Sequence, residues 1–142
     1  MNDGPILYAE DDPHDIFFLK RSLGDAQIMN PLQIARDGQE AIDYLGATGN
    51  FAGSALPCPC LVLLDLKMPH KNGFEVLEWM RSQPRLRCVP VIILTGSAQH
   101  EDMERAYLLG ANSYLIKPLD MQSRFKMAQL IRDYWLRLNQ SG

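Results

Sequence analysis

Long apolar runs, an excess of positive charge and a secretion signal are all missing from this chain of 142 residues. No stretch approaches the roughly 20 apolar residues that a membrane-spanning helix needs. Residues 1–5 lack the basic and apolar regions of a signal peptide. The net charge of -3 gives no general attraction to nucleic acid or to anionic lipid. We therefore expect a cytoplasmic protein that contacts neither membrane nor nucleic acid directly.

Cysteine is scarce, and the thiols form no recognisable pattern. Cys58, Cys60 and Cys88 contain no C-x-x-C pair, and the histidines are scattered along the chain. This spacing is typical of neither a structural zinc site nor a disulfide framework. We expect free thiols, as is usual in a reducing cytoplasm.

Alternating apolar segments predict a doubly wound α/β fold. The chain is 46% hydrophobic and 22% charged, the balance of an ordinary globular domain. Helices then cover both faces of one parallel sheet, with right-handed crossovers. The flavodoxin-like strand order 2-1-3-4-5 is the simplest arrangement at this length. We predict strands at 5–9, 32–35, 61–64, 89–94 and 113–116, and helices at 13–24, 39–45, 74–80, 99–109 and 120–138.

One domain is expected to fill residues 1–142, with its core at about 5–138 and no output domain after it. Residues 46–59 carry several Gly and Pro residues and no hydrophobic period, which predicts a long loop before the third strand. A loop of this length is either a docking surface or padding.

A lone acid follows the third predicted strand. The four apolar residues 61–64 indicate a strand buried on both faces, and Asp65 stands at its carboxyl end. Open α/β sheets bind their ligands at that edge. Asp65 is either a cap of the next turn or a reactive carboxylate. The residues that end the other strands favour one of these alternatives.

Three acids follow the first predicted strand, and one of them has a structural explanation. Pro13 favours the first position of a helix, which makes Asp12 the natural N-cap. Glu10 and Asp11 lie at the strand end and have no such role. The strand order 2-1-3-4-5 makes the first and third strands neighbours, so we expect this pair to meet Asp65.

Thr95 and Lys117 follow the fourth and fifth strands and should reach the same edge. Clustered carboxylates raise one another's pKa, and a hard cation such as Mg²⁺ relieves that repulsion. If Asp65 attacks phosphorus, Mg²⁺, the Lys117 ammonium and the Thr95 hydroxyl can each hold one phosphoryl oxygen. The pattern therefore predicts a metal-dependent phosphoryl site.

These residues resemble the receiver domain of two-component response regulators, and the resemblance covers residues 5–138. The match consists of Glu10-Asp11-Asp12, Leu64-Asp65-Leu66-Lys67-Met68-Pro69 with Gly73 following, Leu94-Thr95-Gly96 and Tyr114-Leu115-Ile116-Lys117-Pro118.

The resemblance implies that Asp65 accepts a phosphoryl group from a phosphohistidine on a sensor histidine kinase. It also implies that Mg²⁺ is bound directly by Asp11, through water by Glu10, and by Asp65 and the Lys67 backbone carbonyl. By the same resemblance the protein is a signalling phosphoacceptor that assists its own phosphorylation and dephosphorylation, and not an enzyme.

Thr95 and Tyr114 match the family's switch pair, in which phosphorylation draws the hydroxyl toward the phosphate and the ring turns inward. A finer resemblance is to the stand-alone regulators of bacterial and cyanobacterial phytochromes. It lies in residues 10–13, in the long loop and in the tail at 125–136. Signal relay and a phosphate sink for a phytochrome kinase both fit this pattern.

The last predicted helix is apolar over a wide arc. Phe125, Ala128, Ile131, Trp135 and Leu138 can face the sheet, while Met127, Leu130 and Tyr134 lie on a shifted face. Excess apolar surface on a helix is usually covered by a partner. We predict a homodimer through the fourth helix, the fifth strand and the fifth helix.

Two other readings fit the chain less well. A phosphotransferase of the haloacid dehalogenase type needs a second Asp two residues after the nucleophile, where this chain has Lys67. A dinucleotide or flavin module needs a glycine-rich turn after the first strand, where this chain has acids and Pro13.

Overall fold

The computed structural model describes residues 2–140, which form five strands and five helices in alternation. The strands are β1 Ile6–Ala9, β2 Leu32–Ala35, β3 Leu61–Leu64, β4 Val91–Thr95 and β5 Ser113–Ile116. The helices are α1 Pro13–Asp25, α2 Gly38–Gly46, α3 Gly73–Ser82, α4 His100–Leu108 and α5 Met121–Leu130, and a π-helical segment, Ile131–Leu138, continues α5.

The strands form one parallel sheet in the order β2-β1-β3-β4-β5, which confirms the predicted fold class. Ala9 pairs with Ala35 on one side and with Leu64 on the other, so the ends of the three strands are level. Alternate strand residues pack on opposite faces of the sheet. One face is covered by α2, α3 and α4, and the other by α1 and α5.

Short polar side chains begin most of the helices. The Asp12 carboxylate accepts a hydrogen bond from the His14 N–H at 2.8 Å, as predicted for the N-cap of α1. Asn72 and Glu75 form a reciprocal capping box at the start of α3. Because both helices start beside strand ends, these caps fix the loops that carry the polar residues.

Strand β4 begins two residues later than predicted. Pro90 has no N–H to donate to the sheet, and the Val89 N–H closes a turn to the Leu86 carbonyl at 3.2 Å. The strand therefore starts at Val91 and extends through Thr95. Of the predicted loop at 46–59, Gly46 ends α2 and the rest is irregular except for a 3-10 turn at Gly49–Phe51.

The end of the last helix differs from the prediction. Leu138 was expected to face the sheet but is 70% exposed, and Leu136 is 3% exposed instead. A π-helix joins residues five apart, so in the segment Ile131–Leu138 the position after Ile131 on the buried face is Leu136. An α-helical period cannot place Leu136 there.

No helix within residues 2–140 is long and apolar enough to cross a membrane.

Gly73→Ala is expected to lower the free energy of unfolding by about 2 to 3 kcal/mol. A Cβ at Gly73 would lie 2.2 Å from the Asp65 carbonyl oxygen, so the turn after β3 would have to shift. Gly24→Ala in α1 is the control, because its added Cβ would have no atom within 4 Å beyond its chain neighbours and the backbone of its own helix. It should gain about 0.5 to 1 kcal/mol from helix propensity. Urea denaturation measures both, and equal effects would contradict the close contact.

Candidate functional site

Glu10 leaves the end of β1 and turns its side chain into the protein, where it is 1% exposed. Its backbone N–H donates to the Ala35 carbonyl at 2.9 Å. Its Oε2 accepts the N–H groups of Asp11 and Asp12 at 3.1 and 3.2 Å. The Tyr8 hydroxyl donates to Oε1 at 3.2 Å. These bonds fix the carboxylate beside the strand ends.

Asp65 leaves the end of β3 and is also buried. Its N–H donates to the Ala9 carbonyl at 3.1 Å, which continues the pairing of β1 with β3. Oδ1 accepts the Leu66 N–H at 2.7 Å, and the Lys67 N–H lies at 3.5 Å. Oδ2 faces the Lys117 ammonium. One oxygen therefore holds the turn, as in the capping alternative, and the other is available for chemistry.

Lys117 brings the positive charge of the site. Its backbone N–H donates to the Thr95 carbonyl at 2.8 Å, which ties the end of β5 to β4. Its Nζ lies 2.6 Å from Glu10 Oε1, 2.7 Å from Asp15 Oδ2 and 2.8 Å from Asp65 Oδ2. The ammonium thus compensates three carboxylates, of which Glu10 and Asp65 are buried and Asp15 is partly exposed.

The site shifts the pKa values of its groups. Burial raises the pKa of Glu10 to about 7, against the opposing effect of Lys117. Burial lowers the pKa of Lys117, but hydrogen bonds to its three carboxylates outweigh burial and the pKa is raised. Burial, with Glu10 nearby, raises the pKa of Tyr8. Near neutral pH, Lys117 is therefore charged, Tyr8 is neutral, and Glu10 is close to its titration point.

The acidic residues fit a divalent cation. Glu10, Asp11 and Asp65 each offer a carboxylate oxygen, and these oxygens lie within 4.8 Å of one another. All-oxygen donors from carboxylates are what Mg²⁺ and Mn²⁺ prefer. Asp11 is exposed, which leaves water access on one side of the cluster. The residues present therefore fit the predicted metal, whereas the Lys67 carbonyl stays a predicted ligand.

The other two predicted site residues lie beside this edge. Thr95 is buried at the end of β4, and its Oγ1 accepts the Ser97 N–H at 3.4 Å. Tyr114 is half-buried in β5, and its hydroxyl donates to the Ser97 carbonyl at 2.9 Å. The Ser97 hydroxyl donates to Asp102 at 2.6 Å. The loop between β4 and α4 therefore links both residues through Ser97.

Sequence reasoning missed two residues of this site. Tyr8 was counted only as part of an apolar strand, and Asp15 was not singled out. Asp15 lies in the first turn of α1, whose N-terminus starts at the strand ends. A signal for it existed, because a carboxylate three residues after an N-cap returns to the same side of the helix as the cap.

Comparison with known proteins shows relatives that match nearly the whole chain. Response regulator Rcp1 from Synechocystis sp. is 38% identical over 131 residues, covering 92% of this chain and 88% of that protein. The crystal structure of the Mn²⁺-bound form of Rcp1 matches with a TM-score of 0.87 at 36% identity, over 97% of this chain and 98% of that chain.

The crystal structure of the phosphorylated cyanobacterial phytochrome response regulator RcpA matches with a TM-score of 0.89 at 31% identity, over 99% of both chains. The family model of the response regulator receiver domain matches residues 6–129. The chain therefore belongs to the response regulator receiver domain family.

Proposed function

We propose that this response regulator accepts a phosphoryl group on Asp65 from the phosphohistidine of a sensor histidine kinase, in a Mg²⁺-dependent reaction. The observation that carries the proposal is the Lys117 ammonium 2.8 Å from Asp65 Oδ2, beside three carboxylates that fit one divalent cation. The proposed nucleophile Asp65, the Lys117 ammonium and a group of carboxylates that fits one divalent cation thus lie at the same edge of the sheet.

The transfer needs positioning and charge compensation more than it needs proton movement. Asp65 Oδ2 forms the new P–O bond while the P–N bond breaks and its electron pair returns to the imidazole. The Leu66 N–H holds Oδ1, so the Asp65 carboxylate cannot rotate freely. Lys117 can move its ammonium from Asp65 to a phosphoryl oxygen. Mg²⁺ held by Glu10, Asp11 and Asp65 would neutralise charge on the carboxylates and the phosphoryl oxygens.

The response is proposed to pass through Thr95 and Tyr114. A phosphoryl group brings about -1.5 to -2 charges and strong acceptor oxygens. The Thr95 hydroxyl can donate to such an oxygen, and a movement of Oγ1 toward the phosphoryl group would lengthen the hydrogen bond that Oγ1 accepts from the Ser97 N–H. The Ser97 carbonyl accepts a hydrogen bond from the Tyr114 hydroxyl, so a shift of this loop would free the ring to turn inward. Phosphorylation then biases a two-state equilibrium.

The partner is proposed to be a cytoplasmic sensor histidine kinase of the phytochrome type. This rests on RcpA, a phytochrome response regulator, and on the coverage of 99% of both chains. Phosphotransfer profiling against the histidine kinases of the source organism would identify it. Fast transfer followed by a target response indicates relay, and transfer that only drains the kinase indicates a phosphate sink.

A direct test uses the purified protein with a small phosphodonor. With Mg²⁺ the intact mass should rise by one phosphoryl group that hydroxylamine removes, as expected for an acyl phosphate. With a chelator the mass should stay unchanged. Sustained hydrolysis of general phosphate esters would contradict the proposal and favour the haloacid dehalogenase alternative.

Mg²⁺ is expected to stabilise the protein more at pH 8 than at pH 6. The pKa of Glu10 is raised from 4.5 to about 7. In the metal-free protein, proton binding by Glu10 therefore stabilises the folded state. This stabilisation is complete below pH 4.5 and is lost as the pH rises through about 7. A cation replaces the proton, so below pH 7 the apparent Kd for Mg²⁺ should rise by up to about tenfold per pH unit. Calorimetric titration measures it.

Glu10→Gln is the control for this pH dependence, because its amide does not titrate in this range. It should bind Mg²⁺ more weakly, with little change between pH 6 and pH 8. A pH dependence equal to that of the unmodified protein would show that another group is responsible.

We also propose a homodimer through α4, β5 and α5. Large apolar side chains are exposed on this face, namely Tyr107, Leu108, Ile116, Leu130 and Tyr134. Exposed apolar surface of this kind usually marks an interaction site.

Sedimentation velocity with beryllofluoride as phosphate mimic is expected to show two chains per particle. Leu130→Glu should yield monomers, because it places a charge at the proposed contact. Phe17→Glu is the matched control, since Phe17 is also apolar and exposed but belongs to α1, outside the proposed contact of α4, β5 and α5. A monomer with and without the mimic would overturn the dimer.

A further inference from the structure

Asp15 contacts Lys117 but does not belong to the acidic cluster of Glu10, Asp11 and Asp65. It is the third residue of α1, its side chain is 31% exposed, and its Oδ2 lies 2.7 Å from Lys117 Nζ. The other two carboxylates on this ammonium, Glu10 and Asp65, belong to the group whose oxygens fit one cation, and Asp15 does not. Two of the three carboxylates that contact Lys117 can therefore also bind a metal, and the third, Asp15, lies outside that group.

Both ends of the Asp15 to Lys117 contact are held by the backbone. The N-cap bond of Asp12 and the ring of Pro13 fix the first turn of α1. The hydrogen bond from the Lys117 N–H to the Thr95 carbonyl fixes the end of β5. Asp15 and Lys117 line a small cavity between α1 and the start of α5. Among residues 2–140 the other cationic side chain that lines it is that of Arg124, which stacks on the Phe18 ring and donates to the Pro118 carbonyl. Arg124 therefore does not compete with Lys117 for the Asp15 carboxylate.

A cation in the cluster changes what Lys117 can contact. Two positive charges at neighbouring positions repel each other, most strongly where water is excluded. A divalent cation in the cluster of Glu10, Asp11 and Asp65 would also supply the positive charge that Lys117 supplies in this structure. The ammonium must then give up part of its contact with these two carboxylates. Asp15 is the acceptor that remains beside it.

We propose that Asp15 is a positioning residue, which retains the Lys117 ammonium at the edge of the site when the acidic cluster binds a divalent cation. Asp15 thereby lowers the competition between Lys117 and the metal for Glu10 and Asp65. It also keeps the ammonium within reach of Asp65, and this second part rests on the proposed phosphoryl transfer.

The test is a double-mutant cycle on Mg²⁺ affinity, measured by calorimetric titration. The proteins are the unmodified chain, Asp15→Asn, Lys117→Met and the double variant. Asp15→Asn alone should weaken Mg²⁺ binding by about fivefold to tenfold, within the range of coupling seen for contacting residues. In the Lys117→Met background the same change should alter affinity less than about twofold, because the competing ammonium is gone.

Asp12→Asn is the matched control for the loss of one negative charge. It removes a carboxylate from the same helical turn, and asparagine still caps the helix. The structure shows no hydrogen bond or ion pair between Asp12 and Lys117 among the described residues. Its effect on the Kd for Mg²⁺ should stay below about twofold, as expected for an exposed charge screened by water.

Equal losses from Asp15→Asn in both backgrounds would overturn the proposal, as would a loss matched by Asp12→Asn. Either result would mean that Asp15 acts only through its charge. Lys117→Gln supplies a second background, with a polar side chain, if Lys117→Met does not fold. Rates of phosphorylation by a small phosphodonor separate the two hypotheses. If the unmodified chain is not phosphorylated but the cycle holds, the proposed function fails and the role of Asp15 stands.

Discussion

Asp65→Asn is expected to abolish phosphorylation by a small phosphodonor in the presence of Mg²⁺. The amide keeps the size of the side chain and can still accept the Leu66 N–H, so the turn after β3 should remain. It lacks the anionic oxygen that is proposed to attack phosphorus. Lys117 retains Glu10 and Asp15 as partners, so the fold should survive. Intact mass spectrometry should show no hydroxylamine-sensitive phosphoryl group.

The matched control for this loss is Asp12→Asn, which changes an exposed acid whose role is to cap α1. It should be phosphorylated at close to the unmodified rate, since asparagine also caps helices. Phosphorylation of Asp65→Asn to the same extent would mean that another residue accepts the group. Loss in both variants would point to a general effect of charge on Mg²⁺ binding.

Lys117→Met should have the largest effect on stability. In the metal-free protein it leaves Glu10 and Asp65 buried without the cation that lies 2.6 and 2.8 Å from them. Removing one partner of a buried ion pair costs about 3 to 5 kcal/mol. The loss should be smaller at pH 6 than at pH 8, because Glu10, with its pKa of about 7, can take up a proton. Mg²⁺ should restore most of the lost stability.

Lys67→Met is the control for this prediction. Lys67 lies two residues after Asp65 but its side chain is exposed. Surface substitutions of this kind usually change the free energy of unfolding by less than about 0.5 kcal/mol. Urea denaturation of both variants, at two pH values and with and without Mg²⁺, gives the comparison. A metal-free Lys117→Met protein as stable as Lys67→Met would contradict the described role of the ammonium.

The main features of the site were predictable because strand ends are predictable. Short apolar runs locate the strands, and in a parallel sheet their carboxyl ends share one edge. Glu10, Asp65 and Lys117 each follow such a run directly, so their meeting needed only the strand order. The cap at Asp12 was predictable because Pro13 marks the start of the helix.

Contacts that depend on side-chain direction were not predictable in this way. Asp15 reaches Lys117 from α1, and that contact depends on how the helix lies across the sheet. The Tyr8 hydroxyl reaches Glu10 although its ring lies in the core. Leu136 replaced Leu138 on the buried face because a π-helical segment changes the period, and no residue pattern marks that change.

The strand order also determines when, during synthesis, the chain can assemble the site that contains the acidic cluster and Lys117. β1 lies between β2 and β3, so one edge of β1 stays unpaired until residues 61–64 leave the ribosome. Lys117 follows β5, which comes last in sequence among the strands of residues 2–140 and is an edge of the sheet. A nascent chain that stops before β5 presents the acidic cluster without its ammonium. A kinase that needs the assembled site would therefore leave unfinished chains unmodified.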